Sequence, residues 1–272
     1  MAGHNSRKLN SLLATLGDGW LAPSGWLALR GYSRGLLGQY VQRGWLLSPA
    51  RGVFHRPGAG PSWQTVVFSM QRLAGLPLHV GGRHALQQHG QDHYLRTGPA
   101  VVTLFGNARL PAWVNGLGLA ETFTVRPDAA LGLGPLVPGE VDDRDALLAL
   151  GLETLPGDRP VCPMVTSLPE RAILELLYDA PHSASVAEAD AVLQGMSRLR
   201  PALVSQLLRR CTHVKAKRLF LALAERHGHA WFDHLDLEGV DLGTGKRQLR
   251  VGERMHSKYL ISLPKDLDEQ LG

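Results

Sequence analysis

Residues 20–57, WLAPSGWLALRGYSRGLLGQYVQRGWLLSPARGVFHRP, constrain the fold more tightly than any other stretch. Apolar spacing and punctuation predict a short helix over 24–30, a tight Gly31-Tyr32 turn and a second helix over 34–43. Two short strands follow, Trp45-Leu46-Leu47 and Val53-Phe54-His55, joined by Ser48-Pro49-Ala50-Arg51-Gly52. Upstream, Leu9, Leu12, Leu13 and Leu16 recur at helical spacing within 7–16 and supply a first helix ending at Gly17-Asp18-Gly19. Three helices followed by a hairpin is the order of a winged helix-turn-helix.

Each signal has a physical cause. Ser33 is placed to cap the second helix, where its hydroxyl accepts from an amide left unpaired in the first turn. Leu37, Tyr40 and Val41 form one apolar stripe, and Gly44 stands where the helix needs a left-handed stop. The opposite face carries Ser33, Arg34, Gln39, Gln42 and Arg43 as candidate base readers, because arginine forks onto guanine or phosphate and glutamine pairs with adenine. Gly35 and Gly38 share that face and each costs about 1 kcal/mol of helix stability relative to alanine, which suits close approach to a DNA backbone. Arg7, Lys8, Arg30 and the wing-tip Arg51 are the candidate phosphate contacts.

A helical pair with a hairpin also serves for protein docking, so charge has to decide. Residues 1–60 hold seven Arg or Lys against Asp18 alone, a net of +6. That is an electrostatic footprint for a polyanion. Residues 61–195 sum to −6 and residues 196–272 to +5, so the overall +5 conceals a basic, acidic, basic order. Two DNA-facing ends around a neutral or partner-facing middle fit it. The 272 residues suit two domains, divided at the Pro57-Gly58-Ala59-Gly60-Pro61 loop: 1–60 as the winged head and 61–272 as a larger mixed helix-and-sheet domain, an α+β chain overall. No signal core and no membrane-length apolar run stand in the sequence, so a cytoplasmic protein without membrane contact is expected.

Further along, helices are predicted over 62–74, 82–89 and from Asp143 or Asp145 to Leu150, strands over 76–80, 100–105 and 121–126, and a loop over 130–139. From Val161 the pattern is mostly helical. Ser167-Leu168-Pro169-Glu170 and Ser185-Val186-Ala187-Glu188 read as capping boxes, Pro201 starts a helix to Arg210, and another runs from His213 to His227 before Gly228. In that last helix Leu219, Phe220 and Leu223 are assigned to the core and Lys215, Lys217 and Arg218 to the outer face. A final strand over 258–263 ends at Pro264.

No catalytic or metal constellation emerges. His79, His84, His89 and His93 lack HExxH spacing, and His227, His229 and His234 lack a carboxylate or cysteine at ligand spacing. Cys162 and Cys211 form no CxxC, Gly132-Leu133-Gly134 lacks the lysine of a phosphate loop, and no serine sits in GxSxG. Asp142, Asp143 and Asp145 suit a helix start better than a magnesium site.

With these motifs laid out, the chain resembles the AbiEi family of antitoxins and transcriptional repressors of type IV toxin–antitoxin (abortive infection) systems. The resemblance covers nearly the whole chain. It rests on Arg43-Gly44-Trp45-Leu46 and Arg51-Gly52-Val53-Phe54, on Ala85-Leu86-Gln87-Gln88-His89-Gly90, on the run from Leu168 to Leu177, and on Gly245-Lys246-Arg247 leading to Tyr259-Leu260-Ile261. The glycine pair in the second helix departs from the pattern. The resemblance implies an N-terminal winged helix-turn-helix binding inverted repeats in its own promoter. It also implies a C-terminal domain that counters an AbiEii-type nucleotidyltransferase toxin without a stable complex and assists DNA binding. Lys215, Lys217 and Arg218, with Lys246 and Arg247, are the candidates for that second basic surface. Neither enzyme activity nor a cofactor is expected. The competing readings are a nucleic-acid-processing enzyme using Asp142, Asp143 or Asp145, and a protein-binding adaptor.

Overall fold

The computed structural model describes residues 2–91, 101–137, 139, 141–157, 162–180, 186–248 and 254–264. The leucine spacing near the N-terminus gives α1 (Ala2–Thr15); its Leu9 and Leu12, and Leu16 just past its end, are buried. They close a small core with Leu27 of α2 (Ser24–Leu29), Leu37 and Tyr40 of α3 (Arg34–Gln42) and Leu46. Between α1 and α2 lies β1 (Ala22–Pro23), too short for any periodicity to reveal. It pairs antiparallel with β3 (Val53–His55), which also pairs with β2 (Leu47–Ala50), giving the order β1-β3-β2. The hairpin therefore starts two residues later than its apolar run suggests. Ser48 stays in the strand and donates its hydroxyl to the carbonyls of Ala50 and Val53 at 3.2 and 3.1 Å.

The larger part is built on a five-stranded mixed sheet, ordered β6-β5-β4-β8-β7. Its strands are β4 (Leu78–Val80), β5 (Val101–Gly106), β6 (Thr122–Arg126), β7 (Leu152–Leu155) and β8 (Met164–Ser167). β5 and β6 run parallel, as do β4 and β8, while β4–β5 and β7–β8 are antiparallel. One face carries α4 (Trp63–Phe68), its π-helical continuation Ser69–Leu73 and α6 (Ala112–Asn115). The other carries α5 (Gly82–Gln88), α8 (Pro169–Asp179), α9 (Val186–Gly195), α10 (Pro201–Arg210) and α11 (Val214–His227), the largest core. α7 (Arg144–Ala149) packs at the β7 end. β9 (Arg254–His256) and β10 (Ile261–Leu263) form a separate ribbon whose Ile261 and Leu263 enter the largest core.

The helix expected over 62–74 starts at a reciprocal Ser62–Thr65 capping box but widens at Ser69. There the Ser69 hydroxyl donates to the Thr65 carbonyl at 2.6 Å and accepts the Leu21 amide at 2.9 Å. The widened turn sends the Gln71 amide between β4 and β8. It donates to the carbonyls of Leu78 and Val165 and accepts the Val165 amide, replacing rungs that two diverging strands would otherwise leave empty.

Two expectations are corrected. The stretch after Val161 contains a central strand, β8, and Ser167 ends that strand instead of capping α8. Leu168 is the N-cap and makes no side-chain bond, Pro169 presets the first turn, and the Ser167 hydroxyl goes to Glu175 at 2.8 Å. The second expected box falls on Ser185, outside the described residues, as does His93.

Head and body are joined through side chains as well as the chain. Trp20 donates from Nε1 to the Cys162 sulfur at 3.1 Å and its ring lies tilted against Phe68 with centroids 4.3 Å apart, while Leu21 and Val53 belong to the core containing Val66, Leu104 and Trp113. A β-carbon on Gly116 would stand 3.2 Å from the Ala50 β-carbon, so the hairpin rests closely on the turn after α6.

Candidate nucleic-acid interface

Ser33 caps α3, its hydroxyl oxygen accepting the Leu36 amide at 3.3 Å. Leu37 and Tyr40 anchor the inner side, each only 1% exposed. That leaves Ser33, Arg34, Gln39 and Gln42 exposed on the outside, together with Arg43 at the C-cap. A β-carbon at Gly35 or Gly38 would meet nothing within 4 Å, so the outer groove of α3 is bare backbone.

Two aromatic supports were not singled out from sequence. The Arg43 guanidinium lies over the Trp45 ring at 5.0 Å, and Trp45 rests on Tyr40 with ring centroids 5.8 Å apart. Gly44, at φ +70°, makes the reversal that brings Trp45 back under Arg43. Arg30 lies 3.7 Å over Trp26. Such stacking fixes a cation's direction without neutralising it. An aromatic two residues after an arginine at a helix end is the signal that would have found the first pair.

Arg51 is exposed at the hairpin tip and Arg7 on α1. Lys8 reaches the Gly31 carbonyl at 3.1 Å, and the Tyr32 hydroxyl donates to the Lys8 carbonyl at 3.0 Å, so Lys8 also ties α1 to the α2–α3 turn. Arg56 is paired with Asp18, its Nε 2.8 Å from Oδ1. The head's excess of charge therefore resides in Arg7, Lys8, Arg30, Arg34, Arg43 and Arg51.

The second basic surface is not assembled as expected. Lys217 and Arg218 are each 2% exposed. The 241–245 turn and the segment leading into β10 wrap over α11 and occupy both side chains. Lys217 donates to the Asp241 carbonyl, while Arg218 donates to the carbonyls of Leu242, Gly243, Gly245 and Leu260 at 2.6–3.0 Å. Their placement outside is thus overturned: backbone oxygens surround them. Lys246 is exposed, Lys215 and Arg247 half-buried, and the Arg247 backbone pairs with Leu260 and Ser262.

The aspartates do not converge. Asp143 caps α7, accepting the amides of Asp145 and Ala146 at 3.0 Å, and Asp142 pairs with Arg72. Among the described residues no group of three His, Cys, Asp or Glu side chains is arranged to hold a metal ion. The densest polar cluster lies inside. Glu175 accepts from Arg171 Nε, Ser167 Oγ and the Gly82 amide at 2.8–3.0 Å and pairs with His79 Nε2 at 2.9 Å. Burial alone would raise its pKa, but the His79 and Arg171 charges and hydrogen bonds outweigh burial and hold the carboxyl below the usual range. Asp128, 3.0 Å from Arg171, goes the other way because burial dominates.

The architecture is therefore that of a basic three-helix head with a small sheet, carried on a larger α+β body. Two family models together span nearly all of it. One, for the N-terminal domain of the AbiEi antitoxin transcriptional regulator, matches residues 5–97; the other, for the transcriptional regulator, AbiEi antitoxin, of type IV toxin–antitoxin systems, matches residues 100–264. The chain belongs to the AbiEi antitoxin family, whose members are transcriptional regulators of type IV toxin–antitoxin systems. A crystal structure of the RV2827C protein from Mycobacterium tuberculosis has a TM-score of 0.56 at 16% identity, over 98% of this chain and 94% of that one, a likeness of fold. No curated protein sequence matches significantly. No helix among the described residues is long and apolar enough to cross a membrane.

Proposed function

We propose that the chain is a type IV antitoxin and autorepressor acting in the cytoplasm. In this reading residues 1–60 are a winged helix-turn-helix that binds inverted repeats of its own promoter, and residues 61–272 counter an AbiEii-type nucleotidyltransferase toxin without a stable complex. Ser33, Arg34, Gln39, Gln42 and Arg43 read the major groove, and Arg7, Lys8, Arg30 and Arg51 hold phosphates. The supporting observation is the outer side of α3: five polar or cationic side chains are exposed around a bare glycine groove. Lys246, Lys215 and Arg247 remain the candidates for a body surface.

Titration of the upstream intergenic duplex against a random duplex of equal length tests the repressor claim, and equal affinity for both overturns it. Co-expression of the chain with the neighbouring toxin gene tests the antitoxin claim, and unrelieved growth arrest overturns that.

A further inference from the structure

The flank of the sheet at β6 is unfinished. β5 bonds to one edge of β6, and among the described residues no strand pairs with the other. Ala108, Leu110, Leu117, Leu119, Phe123 and Val125 pack against the core beneath, yet all six stay half-buried. A groove of about 530 Å³ runs between the strand and residues 106–110. Exposed edges are usually blunted by lysine, proline or a bulge. β6, Thr-Phe-Thr-Val-Arg, holds no lysine, proline or bulge within its five residues, Pro127 standing just past its end, and its single charge, Arg126, is turned along the sheet onto Asp179 at 2.7 Å and Thr124 at 3.3 Å.

We propose that β6 is a homodimer seam, where a second copy of this chain lays its own β6 antiparallel to the first about a two-fold axis through Thr124. The strand is complementary to itself in that register. Phe123 meets the partner's Val125, Thr124 meets the partner's Thr124, and Thr122 meets the partner's Arg126. Aromatic with β-branched and Thr–Thr are favourable cross-strand pairs. No other axis keeps all five residues paired. Phe123 and Val125 share the face of Val102 and Leu104, their partners on β5, so the pairing extends the half-covered core across the seam. A two-fold contact satisfies both edges at once and closes, which a head-to-tail contact does not.

The full chain is measured by sedimentation or light scattering at micromolar concentration, alongside Thr124→Asp, Thr124→Cys and Thr122→Cys. The wild type should show twice the chain mass. Thr124→Asp should halve it, because two carboxylates then face each other, while Arg126 keeps its Asp179 acceptor within each copy and the melting curve holds. Mild oxidation should join Thr124→Cys to its equivalent in the partner but leave Thr122→Cys single, since Cys162 and Cys211 are buried. Reduced Thr124→Cys should remain dimeric, which separates loss of the seam from loss of fold. A wild type of single mass, a dimer indifferent to Thr124→Asp, or equal cross-linking of the two cysteine variants overturns the proposal. So does a single-mass chain whose groove is filled by an extended segment of a different protein.

Discussion

Arg171 and Glu175 stand one turn apart on α8, Nε 2.8 Å from Oε1, and neither side chain is exposed. The pair joins β4, β8, α5 and the 128–134 loop: Glu175 takes donors from the first three, and Arg171 donates to Asp128 and to the carbonyls of Leu150 and Gly134. Removing one partner of a buried pair strands the other, at a cost of about 3–5 kcal/mol. Glu175→Gln should lose about that much in urea unfolding, because an amide nitrogen would face a donor. Arg171→Met with Glu175→Leu together should cost less than the sum of the single changes, since neither member of the pair is left facing the other's empty place, although Asp128 and His79 each lose a partner.

His84 gives a pH dependence of known sign. Its ring stands edge-on to Trp63 at 5.7 Å with Nδ1 buried and unpartnered, and burial, helped by Arg83, lowers its pKa to about 4. The unfolded chain takes up a proton near pH 6.5 that the folded chain refuses. His84's contribution is complete above about pH 6.5 and is lost as the pH falls toward 4, by at most about 3 kcal/mol. Urea unfolding of wild type and His84→Gln across that range should show a difference that narrows with acid. A difference that does not change with pH counts against it.

How much of this was legible depended on whether the cause was local. Ser33, Leu37, Tyr40 and Gly44 act within a few residues of one another, and α3 was readable; Pro201–Arg210 likewise follows from proline at a helix start and a regular apolar face. β1 and β8 owe their existence to Phe54 and Val53 on one side and to Val80 and the Leu152–Leu155 strand on the other, partners no short window contains. Ser167 carried a capping signature but found a better acceptor eight positions on. Lys217 and Arg218 looked solvent-facing because the covering segment lies some two dozen residues away in sequence.

Arg218 spends its hydrogen bonds on four carbonyls, those of Leu242, Gly243, Gly245 and Leu260, and so holds the 242–245 turn and the residue before β10 over α11. Arg218→Ala should therefore lower unfolding stability, by about 1–3 kcal/mol per stranded buried group, and raise proteolysis of the C-terminal segment. Lys246→Ala, on an exposed side chain, should leave both unchanged. A wild-type melting curve for Arg218→Ala contradicts the clasp.

Phosphate holders and base readers should separate in salt. Arg51→Ala should weaken binding to operator and random duplex alike and reduce the slope of log affinity against log salt by about one unit. Arg34→Ala should cost about 1–3 kcal/mol on the operator and much less on random DNA. Fluorescence anisotropy across a salt series reads both, and an Arg51 variant that changes only the operator would reverse the two assignments.

Trp45 offers a sharper test of the proposed DNA contact, because in that reading it acts only by orienting Arg43. The ring is 37% exposed, more than a core tryptophan needs, yet it is braced by Tyr40 below and carries Arg43 above. A guanidinium with five donors on a flexible stem loses rotamer freedom when it binds, by about 0.5–1.5 kcal/mol, and the ring removes part of that loss beforehand. Trp45→Ala should weaken operator binding in the wild-type background and have little further effect once Arg43 is alanine, whereas Trp45→Phe should retain most of the affinity. The four operator affinities of the Trp45–Arg43 double-mutant cycle give the coupling directly. Additive losses would show that Trp45 contacts the duplex on its own account and does not orient Arg43.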